Sequence, residues 1–233
     1  MKDTTVVVIN AGTSETSSTA MLLSQIAKSV QGSEEHVTCT FINVRDVAQD
    51  AMTALVSVRD VAQDAMTALV SGHKSPALKE IEATLLDADA LIVGTPVFKA
   101  GASAVFMAFF QALDNDLLIG TPVLLAGTAG SQRHALVVDD QIRGLFAYLR
   151  TYTTPTSVFA APDDFNDPKL RTRCARAAGE LLALVRADVR GGARNNTWDH
   201  YQHSYGSAGD TELSIDLDSD LMRLATGNGY SGQ

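Results

Sequence analysis

Several kinds of residue and motif are scarce in this chain, and each scarcity removes a class of function. Only two cysteines, Cys39 and Cys174, occur in 233 residues, far apart and without a CxxC or a neighbouring histidine. That excludes a disulfide framework and points to a reducing compartment in which both thiols are inert. No apolar run approaches the roughly 18 residues of a membrane span. Met1-Lys2-Asp3 leads straight into an apolar stretch with no signal-type segment, so the expectation is a cytoplasmic protein with no membrane partner. Basic residues are the minority, 18 Lys and Arg against 27 Asp and Glu for a net charge of −9. With no basic stripe, nucleic acid is not an expected partner. Neither a Walker-type phosphate loop nor a GxSxG elbow is present. What remains is 45% hydrophobic and 19% charged, a chain long enough to fold around one sizeable core.

The chain is organised around Thr5 to Thr19, TVVVINAGTSETSST. Val6 to Ile9 form a continuous apolar run, the pattern of a strand buried on both faces. Asn10, Ala11 and Gly12 turn the chain, and Thr13, Ser14, Thr16, Ser17, Ser18 and Thr19 precede a helical pattern that starts at Ala20. A helix start carries unpaired N–H groups and partial positive charge, which attract a phosphate. No Lys or Arg lies between Val6 and Thr19, so the loop suits a single phosphate monoester rather than a polyphosphate. An ordinary hydroxyl-capped turn fits the same residues.

Further along, Ala20–Val30 reads as an amphipathic helix with Leu22, Leu23, Ile26, Ala27 and Val30 inward. His36–Asn43 reads as a second strand. Val44–Ser57 and Val58–Ser71 are then the same fourteen residues, VRDVAQDAMTALVS, twice in tandem. Two identical copies are too exact and too few for a solenoid, and indicate a recent in-frame duplication. Each copy is helical in pattern, with Val44, Val47, Ala48, Ala51, Met52 and Leu55 of the first on one side. Ala77–Leu86 is a short helix, Ala90–Thr95 a third strand, Pro96–Gly101 a loop, and Ala104–Leu113 a helix rich in Phe and Met. Thr121–Ala126 is a fourth strand, Gly127–His134 another small polar loop, Ala135–Tyr152 a helix, Ser157–Ala160 a fifth strand and Asp167–Val189 a long helix.

Alternating strands and helices with short connections predict an α/β fold, a doubly wound parallel sheet of five strands in the flavodoxin-like order 2-1-3-4-5. Residues 1–189 form that domain. Residues 190–233 form a polar, glycine-rich tail that wanders or packs on a neighbouring subunit. In such a sheet ligands sit beyond the carboxyl ends of the strands, and the small-residue loops after strands one, three and four all open there.

Other motifs carry less. Gly227–Gly232 fits GxGxxG as a string but follows no strand and precedes no helix. His200 and His203 beside Asp199 have the spacing of metal ligands on a helix, yet solvated tail residues explain them better. Asp139-Asp140 and Asp163-Asp164 read as surface or turn acids.

The stretch GTPVFKAGASAVFMAFFQALDNDLLIGTPVLLAGTAGSQRHALVVDDQIRGLFAYLRTYTTPTSVFAAPDDF resembles the NADPH-dependent FMN reductase family. The likeness is to its actinobacterial branch, whose members partner luciferase-like monooxygenases. It runs from Val6 to about Val189, and the tail's DSDLMRLATG shares it. Thr95-Pro96-Val97-Phe98 and Gly130-Ser131-Gln132-Arg133-His134 carry it most specifically. The resemblance implies that Thr13, Ser14, Thr16, Ser17, Ser18 and Thr19 take the FMN phosphate. It places Pro96, Val97, Phe98 and Lys99 against the isoalloxazine, and Gly127, Thr128, Gly130, Ser131, Arg133 and His134 at the ring's polar edge. The chain departs from the family at Lys99, where Asn is usual, and across Gly101–Met107, where a Tyr-Ser-Gly-Leu-Phe-Lys-like segment is usual. Phe98 is a flavin contact or a core residue. Arg133 either faces the ring's N1–C2=O edge or pairs with an acid of the following helix.

Hydride transfer from NADPH or NADH to flavin N5 needs stacking, distance and electrostatics but no nucleophile, which agrees with the absence of a triad. The implied activity is NAD(P)H-dependent FMN reduction, supplying reduced FMN to a partner monooxygenase. A quinone or azo reductase that retains its FMN is a second reading, and a non-enzymatic flavodoxin-like electron carrier a third. The family is dimeric or tetrameric, and the apolar Ala104–Leu113 helix is the expected neighbour of the contact.

Overall fold

Residues 3–14, 17–44, 59–72 and 74–197 are described by the structure, a computed structural model. Its first strand, β1 (Thr4–Asn10), has no exposed surface from Val6 to Ile9, as an unbroken apolar run in a central parallel strand requires. The helix α1 (Ser18–Gln31) follows, then β2 (Val37–Asn43), α2 (Arg59–Ser71), α3 (Pro76–Asp87), β3 (Ala90–Phe98) and the two-residue β4 (Gly101–Ala102). The second half holds α4 (Ala104–Ala112), β5 (Pro122–Thr128), α5 (Arg143–Tyr148), β6 (Tyr152–Thr153), β7 (Val158–Ala160), α6 (Pro168–Arg186) and α7 (Val189–Thr197).

The sheet runs β2-β1-β3-β5, with β6 and β7 paired in succession along the far edge of β5 and β4 folded back on β3. All pairings are parallel except β3–β4. With β5 and β7 as the fourth and fifth main strands, this is the expected 2-1-3-4-5 order; β4 and β6 are short additions to it. Successive side chains of a strand point to opposite faces, so the sheet carries two cores. Val6, Val8, Ala90, Ile92, Leu124 and Ala126 pack under α1 and α6. Val7, Ile9, Leu91, Val93, Val123 and Leu125 pack under α2, α3, α4 and α5. On α1 the buried stripe is Leu22, Leu23, Ile26, Ala27 and Val30, as its spacing predicts. Among the described residues, no helix is long and apolar enough to cross a membrane.

Four expectations are corrected. The segment Ala135–Tyr152 is not one helix. A 3-10 turn at Gln132–His134 and a π-helical turn at Val138–Ile142 precede the short α5, and Tyr152–Thr153 is drawn into the sheet against Pro122–Val123. The periodicity was helical throughout, but Arg150 at φ 56° reverses the chain and the β-branched Thr151, Thr153 and Thr154 favour extension. The third strand runs on through Phe98 rather than ending at Thr95, and the fourth includes Gly127 and Thr128. The apolar surplus on α4 faces inward: Phe106, Phe109 and Phe110 are buried. Phe110 stacks edge-on against Phe109 and Phe146, at centroid distances of 5.1 and 4.8 Å. The helix therefore needs no neighbouring subunit to cover those rings. In the second repeat copy, which forms α2, Ala65 and Ala68 are buried while Met66 and Leu69 are exposed. Of the stripe expected from the first copy, Ala65 is thus buried while Met66 and Leu69 are not, and the buried face is turned toward Ala68, because small side chains let α2 lie close to α4. The first copy, from residue 45 on, lies outside the described residues, as does the tail beyond residue 197.

The described start of the tail is α7, seated by two arginines. Arg190 donates to the carbonyls of Leu86 and Ala88, and Arg194 to those of Leu117 (2.8 Å) and Ile119 (3.3 Å). Burial, helped by the charge of Arg194, pushes Arg190 down to about 10. Gly120, at φ 71°, would bring a Cβ within 2.8 Å of Ala193, so only glycine lets α7 settle there.

Cys174 is fully buried between α6 and the sheet, and that burial pushes its thiol up to about 11; burial also raises Cys39. Both thiols are accordingly inert at neutral pH. The aromatic cluster is the larger energetic feature. Phe110→Ala should cost about 3–5 kcal/mol, read as a lowered denaturant midpoint with unchanged slope; a loss below about 1 kcal/mol would mean the rings are not packed as described.

Candidate active site

Three segments meet at the carboxyl edge of the sheet, one from each of β1, β3 and β5. At the end of β1, Asn10 is buried and bonded both ways: its Nδ2 donates to Asn43 Oδ1 (2.9 Å), and its Oδ1 accepts from Gly12 N (3.0 Å). This Asx turn bends the chain into the first loop. A Cβ on Gly12 would overlap the side chain of Ser17, so the glycine allows the loop to close on the helix. Ser17 is the N-cap of α1, its Oγ accepting from Ala20 N at 3.0 Å. Thr13, Ser14 and Ser18 are exposed, and Thr16 lies outside the described residues. Ser18 and Thr19 belong to the first turn of the helix rather than to the loop. Their amides have no intrahelical acceptor.

Thr19 reaches across the edge. Its Oγ1 is 2.7 Å from Oγ1 of Thr128 at the end of β5, with both residues buried. That hydroxyl pair ties the first loop to the third. Gly127, beside it, would place a Cβ 2.6 Å from Val138 Cγ2, whereas Gly130 has open space around it. Beyond it Ser131 and Arg133 are exposed and His134 is half-buried. Arg133 makes no ion pair with any described residue, so the expected alternative of an acid on the following helix is not realised among them. Gln132 instead bonds Asp164, whose carboxylate also accepts from Ala161 N at 2.7 Å. Asp139 is likewise structural, accepting from Arg143 and from Ser157 Oγ.

The middle segment is a hairpin. Pro96 pairs with Thr128 across the parallel ladder, and Val97 and Phe98 pair antiparallel with Ala102 and Gly101. Val97 is buried, but Phe98 is 52% exposed at the edge and is no core residue. The turn between them is made by Lys99 and Ala100, both at positive φ, 49° and 62°. Ser103 N donates to Thr95 Oγ1 (3.1 Å), while Ser103 Oγ caps α4 by accepting from Phe106 N (3.3 Å). Gln141, in the π-helical turn, donates to Ala100 O at 2.8 Å and holds the hairpin tip from outside.

Thr95, Ser103, Asn10 and Gln141 thus shape the edge although none was a predicted site residue. Asn10 had a signal, an Asx residue followed two positions later by glycine. The Thr95–Ser103 and Thr19–Thr128 pairs had none, because each joins elements whose approach only the folded sheet decides. His200, His203 and Gly227–Gly232 lie outside the described residues. Among the described residues no group of three or more His, Cys, Asp or Glu could hold a metal.

Two non-glycine residues in succession at positive φ are costly, about 1–2 kcal/mol each for an ordinary L-residue, and this type of turn is normally served by Asn-Gly. Lys99→Asn and Ala100→Gly together should therefore stabilise the protein by about 1–2 kcal/mol. A thermal midpoint unchanged or lowered by the pair would contradict the turn geometry.

Comparison with known proteins follows the same lines. The model of the family "NADPH-dependent FMN reductase" matches residues 4–166. The NADH-dependent FMN reductase SfnE of Pseudomonas putida is 33% identical over 183 residues, covering 78% of this chain and 89% of its own. The X-ray structure of an oxidoreductase from Corynebacterium diphtheriae superposes with a TM-score of 0.69 at 37% identity, over 79% of this chain and 98% of the other. A WrbA-like flavodoxin protein of Agrobacterium tumefaciens shares the fold, with a TM-score of 0.53 at 17% identity over 79% of this chain and 99% of the other.

Proposed function

This chain belongs to the NADPH-dependent FMN reductase family, and from that premise we propose that its carboxyl edge holds one FMN, presents it to NADPH or NADH, and releases reduced FMN to a flavin-dependent monooxygenase. The observation that carries this reading is the convergence of the three loops, pinned by the Thr19–Thr128 hydroxyl pair. Bound FMN supplies a ring nitrogen, N5, that accepts hydride directly from a nicotinamide.

The residues fit such a group. The unpaired amides of Ser18 and Thr19 lie at the positive end of the α1 dipole, and the hydroxyls of Thr13, Ser14, Thr16 and Ser17 surround them in sequence. A monoester phosphate needs no more; the absence of a cation in this loop disfavours a longer phosphate chain held there alone. Pro96, Val97, Phe98 and Lys99 flank the ring, Phe98 offering an exposed aromatic face. Gly127, Thr128, Gly130 and Ser131 let backbone come close to the ring. Arg133 and His134 place positive or polarisable groups where the ring's N1–C2=O edge gains negative charge. No side chain is required as nucleophile or general base. The residues shape the approach and exclude water.

The duplicated helix supplies a contact for a homodimer or homotetramer. Among the residues of α2 whose burial is described, Met66, Leu69 and Val70 are exposed, at 53%, 43% and 85%. The reading places the protein in the cytoplasm, where reduced nicotinamides are available.

The test is anaerobic mixing of the protein with excess FMN and NADPH. Bleaching of the flavin, with the reduced form recovered in an ultrafiltrate, is the expected outcome. Bleaching confined to protein-bound flavin would favour a quinone or azo reductase, and no bleaching an electron carrier. In the same assay Ser17→Glu should abolish FMN binding. A carboxylate 4 Å from a phosphate charge is repelled by about 4 kcal/mol at an effective dielectric of about 20. Unchanged FMN affinity in that variant would remove the phosphate from the head of α1.

A further inference from the structure

A groove of about 510 Å³ runs along α1 from Ser17 to Lys28, with Phe165 and Arg171 lining it from the other side. Ala20, Met21 and Phe165 give it apolar surface, and Met21 stays 54% exposed there. Its charges are of one sign. Lys28 and Arg171 are exposed and make no ion pair with any described residue, and no acid lines the groove. Helix α1 contains no acid at all. The one acid of α6, Glu180, is taken by Thr156, which donates to it from its N–H at 2.8 Å and its hydroxyl at 2.7 Å. The groove is thus both apolar and positive, on a chain of net charge −9.

We propose that this groove seats the chain's own acidic segment, residues 210–220, DTELSIDLDSD, so that the tail returns to α1 and α6 of the same subunit rather than to a neighbour. The segment holds five acids, Asp210, Glu212, Asp216, Asp218 and Asp220, and no cation. Leu213, Ile215 and Leu217 alternate with Ser214, Asp216 and Asp218, and in an extended backbone alternate side chains take opposite sides. The three aliphatic residues then cover Met21 and Phe165, while the acids reach Lys28 and Arg171. From Ser17 to Lys28 the helix rises about 16 Å, the length of about five extended residues, as many as Leu213–Leu217 supplies. The last described residue is Thr197. Residues 198–209 lie between it and the segment and reach about 40 Å when extended, about the width of a domain of this size. Exposed ion pairs contribute little each, so apolar burial supplies most of the contact and the charges select the segment. The tail's other apolar stretch, Leu221 to Leu224, carries Arg223 and is repelled. Two other surfaces fit the segment less well. The cavity of about 360 Å³ at the amino edge sets Asp87, Asp89 and Asp188 beside its two arginines, and the exposed apolar residues of α2 have no cation in that helix's last turn.

The test is hydroxyl-radical labelling of the full chain, read as the ratio of Met21 to Met66, which is about equally exposed but lies on α2. It is run on wild type, on Asp216→Lys/Asp218→Lys, on Lys28→Glu/Arg171→Glu, and on the two pairs combined. Either pair alone should raise the ratio about threefold or more by turning attraction into repulsion, and the combination, which restores opposite charges, should bring it back to the wild-type value. Met21 labelling in wild type should not change on about hundredfold dilution, because the contact is intramolecular. A ratio that neither pair alters, or that the combination leaves raised, would overturn the proposal. Faster Met21 labelling on dilution would put the segment on another copy and overturn the intrachain assignment. FMN affinity, read by flavin fluorescence, should stay within about twofold in all four proteins; a loss of about tenfold, or 1.4 kcal/mol, in the Lys28/Arg171 pair would give the groove to the flavin instead.

Discussion

The parallel pairing of β1, β3 and β5 is the constraint on which the rest of this molecule depends. Asn10 opposite Gly94, and Pro96 opposite Thr128, fix the register so that three strands end at one edge. Parallel strands need crossovers, and those after β1 and β3 leave that edge through short loops and return to the opposite one. Small hydroxyl and glycine residues occupy those exits, and the helix that begins at Ser18 turns its dipole toward them. The buried Thr19–Thr128 contact then costs little, because the sheet has already brought both hydroxyls to the same place. Chemistry at this edge follows from strand order before it follows from any one side chain.

The hairpin after β3 shows how a family pattern and a local conformation constrain one another. Positive φ at Lys99 and Ala100 points Phe98 outward and returns the chain to Ser103, where Thr95 receives it. Asn at position 99 would serve the turn by tolerating the left-handed region. Lys serves it at a cost in strain, offset by pairing within the hairpin and by Gln141 bonding to the tip. The departure from the family's usual residue at Lys99 thus falls on turn energetics. In the segment Gly101–Met107, Phe106 is buried and joins the ring cluster of α4 and α5.

Much of this was legible in the residues. Continuous apolar runs such as Val6–Ile9 and Ala90–Val93 have no alternative to buried strands, and Ser17, Ser75 and Asp167 stand where helices begin. The strand order was the flavodoxin-like one that five alternating strands suggest. Four features were hidden. The helical period across Ala135–Tyr152 says nothing of a π turn that Gly127 makes room for. The Phe-rich face of α4 could have met another subunit or its own α5, and only the partner's position decides. The second repeat copy buries Ala65 of the expected stripe but replaces Met66 and Leu69 with Ala68, a small residue that a search for large apolar stripes passes over. At the site, the loop residues were readable from small size and hydroxyl content. The hydroxyl pairs that hold those loops together were not, since each depends on contacts more than a hundred residues apart or on a strand that ran further than its pattern.

The central claim is that one flavin sits across the carboxyl ends of β1, β3 and β5. Amide hydrogen exchange of the protein with and without FMN addresses it most directly, because it reports each loop separately and requires no substitution. The account predicts slower exchange in three separate stretches on adding FMN: residues 12–20, residues 96–99 and residues 128–134. Protection confined to the opposite end of the sheet, around Asp87, Asp188 and Arg190, or to one of the three loops alone, would contradict it.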